Sequence, residues 1–207
     1  MRKALSLIEL IFTIVIIALV FTVIPKVVLS LNKADSFVVR QDALFNGASM
    51  VNMISKLPWD EANTNFADIL HTNSSSFTCN TSNFMRNGSF IGSRNCEHNL
   101  TASLGSDGET SYEAYNDFDD YANESNITAS PYKIKTSVTY VTDNYAYMGQ
   151  TMKIDLNAST LSPTSTNLKK LNLRVDYVGK RGKQRQLTQF EYVSSNIGQM
   201  ILHKRTW

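Results

Sequence analysis

The chain has 207 residues, a formal net charge of +2 at pH 7 and 43% hydrophobic residues. So small a charge gives no case for nucleic acid from the overall balance. Roughly 150 residues beyond the first helix suffice for one globular domain with a core, and their wealth of Ser, Thr and Asn describes a polar surface rather than further membrane segments.

Taken in chain order, Arg2 and Lys3 precede an apolar run, Leu5 to Ile24, whose only ionisable side chain is Glu9. At 1.5 Å per residue the run makes about 30 Å of helix, enough to cross a hydrocarbon core. A secretory signal has a shorter apolar region, about 7–15 residues, and a small-residue cleavage site. Here Ile24-Pro25-Lys26-Val27-Val28 is a poor site of that kind. The basic flank holds the N-terminus in the cytoplasm and sends the C-terminal bulk outward. A carboxylate near the bilayer centre costs at least ~2.5 kcal/mol and less toward the interface. The run holds no partner for Glu9, so the sequence points to a partner on another copy or a related chain.

The helical pattern continues past Pro25. Val27, Val28, Leu31, Phe37, Val38, Ala43, Leu44, Ala48, Val51 and Ile54 recur at roughly helical spacing, while Lys26, Asn32, Lys33, Asp35, Arg40, Gln41 and Asp42 fill the other face. The pattern predicts one helix over residues 5–57, with a membrane part over 5–24 and an amphipathic part beyond. Pro25 should kink it, and Leu57-Pro58 should end it.

Residues 58–131 read as a connecting region with little periodicity, tacked to the core by Phe66-Ala67-Asp68-Ile69-Leu70 and Phe90-Ile91. Cys79 and Cys96 lie here, sixteen residues between them. In an exported domain such a pair forms a disulfide, worth about 3 kcal/mol in the chain-entropy model. The alternatives are two free thiols or metal ligands, and His98 is the only nearby imidazole for a zinc site.

Residues 132–207 change to period two. Tyr132, Ile134, Thr136, Val138 and Tyr140 alternate with Lys133, Lys135, Ser137 and Thr139, a half-buried strand. Met148 to Leu156, Leu168 to Val178 and Gln186 to Ser194 are further candidates, the last two joined by the turn Gly179-Lys180-Arg181-Gly182-Lys183. A helix followed by strands predicts an α+β fold, with an antiparallel sheet of about four strands packed on the helix.

The short basic leader, Ala4 to Glu9, the apolar run and Pro25 resemble the prepilin N-terminus of type IV pilins and type II secretion pseudopilins. The resemblance implies a leader of residues 1–4, cleavage between Ala4 and Leu5 by a prepilin peptidase, and methylation of the new amine on Leu5. Ala4 stands where the family usually has glycine, and Leu5 where it usually has phenylalanine. Glu9 becomes the glutamate at the fifth mature position, whose charge is met in lipid by the amine of a neighbouring subunit. Leu57-Pro58-Trp59-Asp60-Glu61, Asp117-Phe118-Asp119-Asp120-Tyr121 and Ser195-Asn196-Ile197-Gly198 look like minor pilins, nearest the mannose-sensitive haemagglutinin type. Such subunits are low in abundance and sit at or near a filament tip, helping to start assembly or contact a target.

Asp117, Asp119, Asp120 and Glu124 crowd oxygen ligands of the kind Ca²⁺ takes, without the spacing of an EF-hand; a solvated acidic turn is the plainer reading. Seven Asn-x-Ser/Thr triplets occur, at Asn73, Asn80, Asn87, Asn99, Asn123, Asn126 and Asn157, and chance explains most of them in so Asn- and Ser-rich a chain. Lys180, Arg181, Lys183 and Arg185 form a basic hairpin tip, and His203, Lys204 and Arg205 a basic tail; a solvated turn explains these better than DNA contact. No nucleophilic triad or phosphate loop is present, and no enzyme is expected.

The function expected is thus a minor pilin or minor pseudopilin that inserts into or caps a type IV pilus or secretion pseudopilus. Its partners would be other pilins, the prepilin peptidase, the inner-membrane assembly platform and lipid. It would reside in a bacterial inner membrane with its C-terminus in the periplasm, then in the filament. The competing reading is a signal-anchored adhesin or sensor that stays in the inner membrane, with a periplasmic enzyme third.

Overall fold

A computed structural model describes residues 6–61, 69–70, 102–125, 127–142, 161–179 and 182–196. Ala4, Leu5, Cys79, Cys96, the candidate strand at 148–156 and the basic tail lie outside the described residues. The chain divides into two compact units, Met1–Asp42 and Ala43–Trp207.

Helix α1 spans Leu7–Ile54 and contains Pro25. Past Ile54 the backbone tightens from an i→i−4 bond, Ser55 N–H to the Val51 carbonyl, to i→i−3 bonds, Lys56 to Met53 and Leu57 to Ile54. Pro58 follows at once, where the preceding residue is pushed out of helical space. The expected end of the helix is therefore met to within a turn. Its buried face is narrower than the sequence suggests. In the second unit the helix buries Ala43, Gly47 and Ile54, at helical spacing, while Leu44 is exposed. In the first unit Phe37 and Val38 are exposed as well.

The sheet of the second unit has four antiparallel strands in the order β1 (Ile127–Ala129), β2 (Tyr132–Tyr140), β3 (Leu168–Val178) and β4 (Gln184–Ser195). β2 and β3 match the predicted spans, and β4 is longer than its predicted core by a residue or two at each end. β1 falls in the stretch read as connection; at three residues it is too short to show period two. The alternation along β2 is strict, with Tyr132, Ile134, Thr136, Val138 and Tyr140 all buried. Its register on β3 runs from Tyr132↔Tyr177 to Tyr140↔Lys169. Between β3 and β4 the register shifts at Val175/Asp176, a bulge that lets one strand bend against the other. The turn joining them closes through the Gly179 N–H to the Lys183 carbonyl at 3.0 Å, with Gly182 at φ 71°, a left-handed position that favours glycine.

Gly47 sits where helix and sheet meet inside this unit. A Cβ on Gly47 would overlap the ring of Phe190 on β4, so only a glycine permits this approach. Leu171, Leu173 and Val175, all fully buried, carry the core face of β3. Lys169 lies on that same face, two residues before Leu171.

Candidate functional site

Among the described residues two places stand out for how they hold charge. The first is the start of α1. The Ser6 carbonyl accepts the N–H groups of Glu9 and Leu10 at 3.0 and 3.2 Å, and Ser6 Oγ lies 3.3 Å from the Glu9 N–H. Ser6 thereby caps the helix and sets Glu9 in its first turn, where the dipole favours a carboxylate. Between Leu7 and Ile24 the other polar side chains are Thr13 and Thr22. Both hydroxyls donate to carbonyls within the helix, Thr13 to Leu10 at 2.8 Å and Thr22 to Ala18 at 2.7 Å. Hydroxyls so satisfied suit a segment without water around it. The Glu9 carboxylate is different: no described residue pairs with it. The helix is long and apolar enough to cross a membrane, and its most apolar window is wholly exposed.

The second place is the core face of β3. Lys169 is fully buried, and its Nζ donates to the Trp59 carbonyl at 2.8 Å, to Asp60 Oδ2 at 2.8 Å and to Asp119 Oδ1 at 2.6 Å. All three ammonium protons thus have acceptors. The two carboxylates are 2% exposed. The ammonium stands 3.9 Å over the Trp59 ring and 5.8 Å from that of Tyr140, a cation–π arrangement that also shuts out water. Trp59 and Tyr140 share one buried cluster with Leu70 and Ala102. Asp60 Oδ2 further accepts the Ser103 N–H at 3.3 Å, and Tyr140 Oη donates to the Ser103 carbonyl at 2.9 Å.

The loop that delivers Asp119 is built by its neighbours. Asp117 Oδ1 accepts the N–H groups of Asp119 and Asp120 at 3.0 and 3.1 Å. Asp120 Oδ2 accepts those of Asn116 and Asp117 at 2.8 and 3.0 Å. The Asp117 bonds satisfy the first donors of a short 3-10 helix, Asp119–Asn123, and the Asp120 bonds satisfy those of the turn before it. The helix is held to β2 by Thr136, whose N–H donates to the Glu124 carbonyl and whose Oγ1 donates to that of Tyr121, both at 2.8 Å.

Several carboxylates thus crowd one ammonium. Burial pushes the Asp119 carboxyl up to about 8, against the pull of Lys169 and with the push of Asp117 and Asp60. Burial, then Asp120, raises Asp117 to about 6. The proton excess belongs to the group as a whole.

The acidic residues considered for calcium are therefore only partly together. Asp117, Asp119 and Asp120 share the capped loop, with Asp119 turned to Lys169. Glu124 Oε2 instead accepts the Tyr115 hydroxyl at 2.9 Å. Among the described residues no group of three or more His, Cys, Asp or Glu side chains has the arrangement of a metal site. Asn123 is the one glycosylation triplet whose Asn is described, and it is exposed.

Lys169 is the residue that reading the sequence missed. Its signal was available: a lysine at an odd position of a strand whose next odd positions, 171, 173 and 175, are aliphatic. Two of the three short motifs read as minor-pilin-like meet at it, and the third reaches the same core through Leu70. Trp59 and Asp60 come from the first and Asp119 from the second. From the third comes Asn196, fully buried, which bonds the backbone of Leu70 on both sides, at 3.0 and 2.7 Å.

No family model, no curated protein and no solved structure matches the chain.

Proposed function

We propose that the chain is a minor pilin or minor pseudopilin, a non-enzymatic subunit that inserts into or caps a type IV pilus or type II secretion pseudopilus and helps initiate its assembly. The observation that carries this reading is the exposed apolar helix with one carboxylate, Glu9, in its first turn and no described partner for it. Every other polar side chain between Leu7 and Ile24 is satisfied within the helix. A lone carboxylate in lipid is stabilised by a cation brought from outside. Cleavage between Ala4 and Leu5 would create such a cation on each subunit, one turn from its own Glu9 and free to meet a neighbour's. Convergence of the three minor-pilin-like motifs on one core lends the same reading a second support. Before assembly the subunit would sit in a bacterial inner membrane with its C-terminal domain in the periplasm, in contact with the prepilin peptidase and the assembly platform.

N-terminal mass spectrometry of the protein from its native host tests the proposal. A mature chain that begins at N-methylated Leu5 is expected. An intact Met1 would favour a signal-anchored adhesin or sensor, and a cut beyond Pro25 would exclude both anchor and filament. Glu9→Ala should abolish capture of partner pilins in detergent extracts, and unchanged capture would refute the charge-pairing account.

A further inference from the structure

We propose that Lys169 and Asp60 form an intramolecular amide cross-link, made by the fold itself, between Nζ of Lys169 and Cγ of Asp60, with Asp119 as the proton relay. The proposal concerns the core of the second unit and is independent of the filament reading.

Geometry is the first support. Nζ stands 2.8 Å from Asp60 Oδ2, so the nitrogen and the carboxyl group that the amide would join are already in direct contact. A second carboxylate, Asp119, lies 2.6 Å from the same Nζ, within reach of a proton transfer. A simple ion pair requires one carboxylate, whereas acyl transfer requires an electrophile and an acid–base group. The third support is the Ser103 N–H, 3.3 Å from Asp60 Oδ2. It fixes the orientation of the Asp60 carboxyl that Nζ also contacts.

The surroundings favour condensation over an ion pair. Lys169 is 0% exposed and each carboxylate 2%; the Trp59 and Tyr140 rings lie beside the ammonium. Attack requires the amine form of Nζ, which transfer of a proton to the Asp60 carboxylate that it already touches would supply. Excluded water cannot reverse the product.

The step balances without any further reagent. An ammonium and a carboxylate become an amide and one water. Of the three Nζ protons, one passes to Asp60 and one is taken by Asp119 as the Nζ–Cγ bond forms. The third remains on nitrogen and keeps its hydrogen bond to the Trp59 carbonyl. Asp119 returns its proton to the hydroxyl that leaves Cγ, so it ends as it began. The cross-link would tie the segment after α1 to β3, closing a loop that carries most of the second unit.

Peptide mapping by mass spectrometry of the full chain, purified in detergent, reduced and digested with trypsin, tests the proposal. Expected is a branched peptide that joins the Asp60 and Lys169 segments and is one water lighter than their sum. Asp60→Asn should give the same branched product, with ammonia released in place of water. Asp60→Ala and Lys169→Arg should give none. After dilution from urea, Asp119→Asn should form it about 100-fold more slowly, the typical loss for a proton-transferring group. Linear Lys169 and Asp60 peptides from the folded wild-type chain would overturn the proposal. So would a branch on Asp119, or an Asp60 peptide lighter by water but unlinked, which marks a cyclic imide.

Discussion

The exposed apolar stretch of α1 and the sheet unit handle charge in opposite ways. Along Leu7 to Ile24 large aliphatic side chains face outward and one carboxylate stands without a described partner. Along β2 and β3 the aliphatic side chains are inside, and the buried charges beside them are paired. Lys169 has its three acceptors, and Asp176, fully buried on the opposite face of β3, has Arg174 at 2.6 Å and Lys135 at 3.0 Å. A charge removed from water needs a partner in either place. The sheet unit carries its partners within the chain, whereas Glu9 has none among the described residues. That contrast separates a region whose buried charges are paired internally from one whose carboxylate is not.

The contrast can be broken most forcefully at Lys169. Lys169→Ala leaves two buried carboxylates facing each other, and removing one partner of a buried ion pair costs about 3–5 kcal/mol. Urea denaturation of the sheet unit, followed by tryptophan fluorescence, should show a loss of that size; an unchanged midpoint would mean the cluster is solvated. Gly47→Ala comes next. Its methyl must displace the Phe190 ring, an overpacking cost of about 1–3 kcal/mol, read as a lower urea midpoint.

Asp176→Asn should cost about 1.5–3 kcal/mol at neutral pH, the worth of a hydrogen bond to a charged group, and its effect should depend on acidity. Burial works to raise the Asp176 carboxyl, but Arg174 and Lys135 hold it below the usual carboxylate range. Its folded-state affinity for protons is thus lower than in the unfolded chain, whose value is about 3.9. The stability it contributes is full above that value and drains away as pH falls through the lower, folded value. The wild-type advantage over Asp176→Asn should therefore persist at pH 7 and shrink below about pH 4; an advantage that grows on acidification would reverse the assignment. Smallest is Glu9→Ala, which should move the urea midpoint of the sheet unit by less than about 0.5 kcal/mol. A large shift would show that Glu9 does serve the fold within one chain, and the contrast would fail.

Much of the architecture was legible because its signals are local. The apolar run, Pro58 and the alternation along Tyr132 to Tyr140 each depend on residues near in sequence, as does the glycine turn at 179–183. The buried face of α1 was less legible. Leu44 fits helical spacing as well as Ala43 and Ile54, and which of them is covered depends on where Phe190 and the sheet lie. β1 escaped notice since three residues cannot display a period. The acidic motif at Asp117 to Tyr121 drew attention for calcium, but no local pattern says that Asp119 faces a lysine 50 residues on.

Sequence alone determined that one long helix leads, that its first half is fit for lipid, that Glu9 lacks a neighbour there and that strands follow. Those properties arise from the order of side chains along a backbone whose periods are fixed. Only the tertiary structure decided that Lys169 belongs to the core. It brought Asp60 across 109 positions and Asp119 across 50 onto one ammonium, and gave Asn196 the Leu70 backbone 126 positions away. Pairings at such separations depend on how strands register and loops close, which no local run of residues encodes.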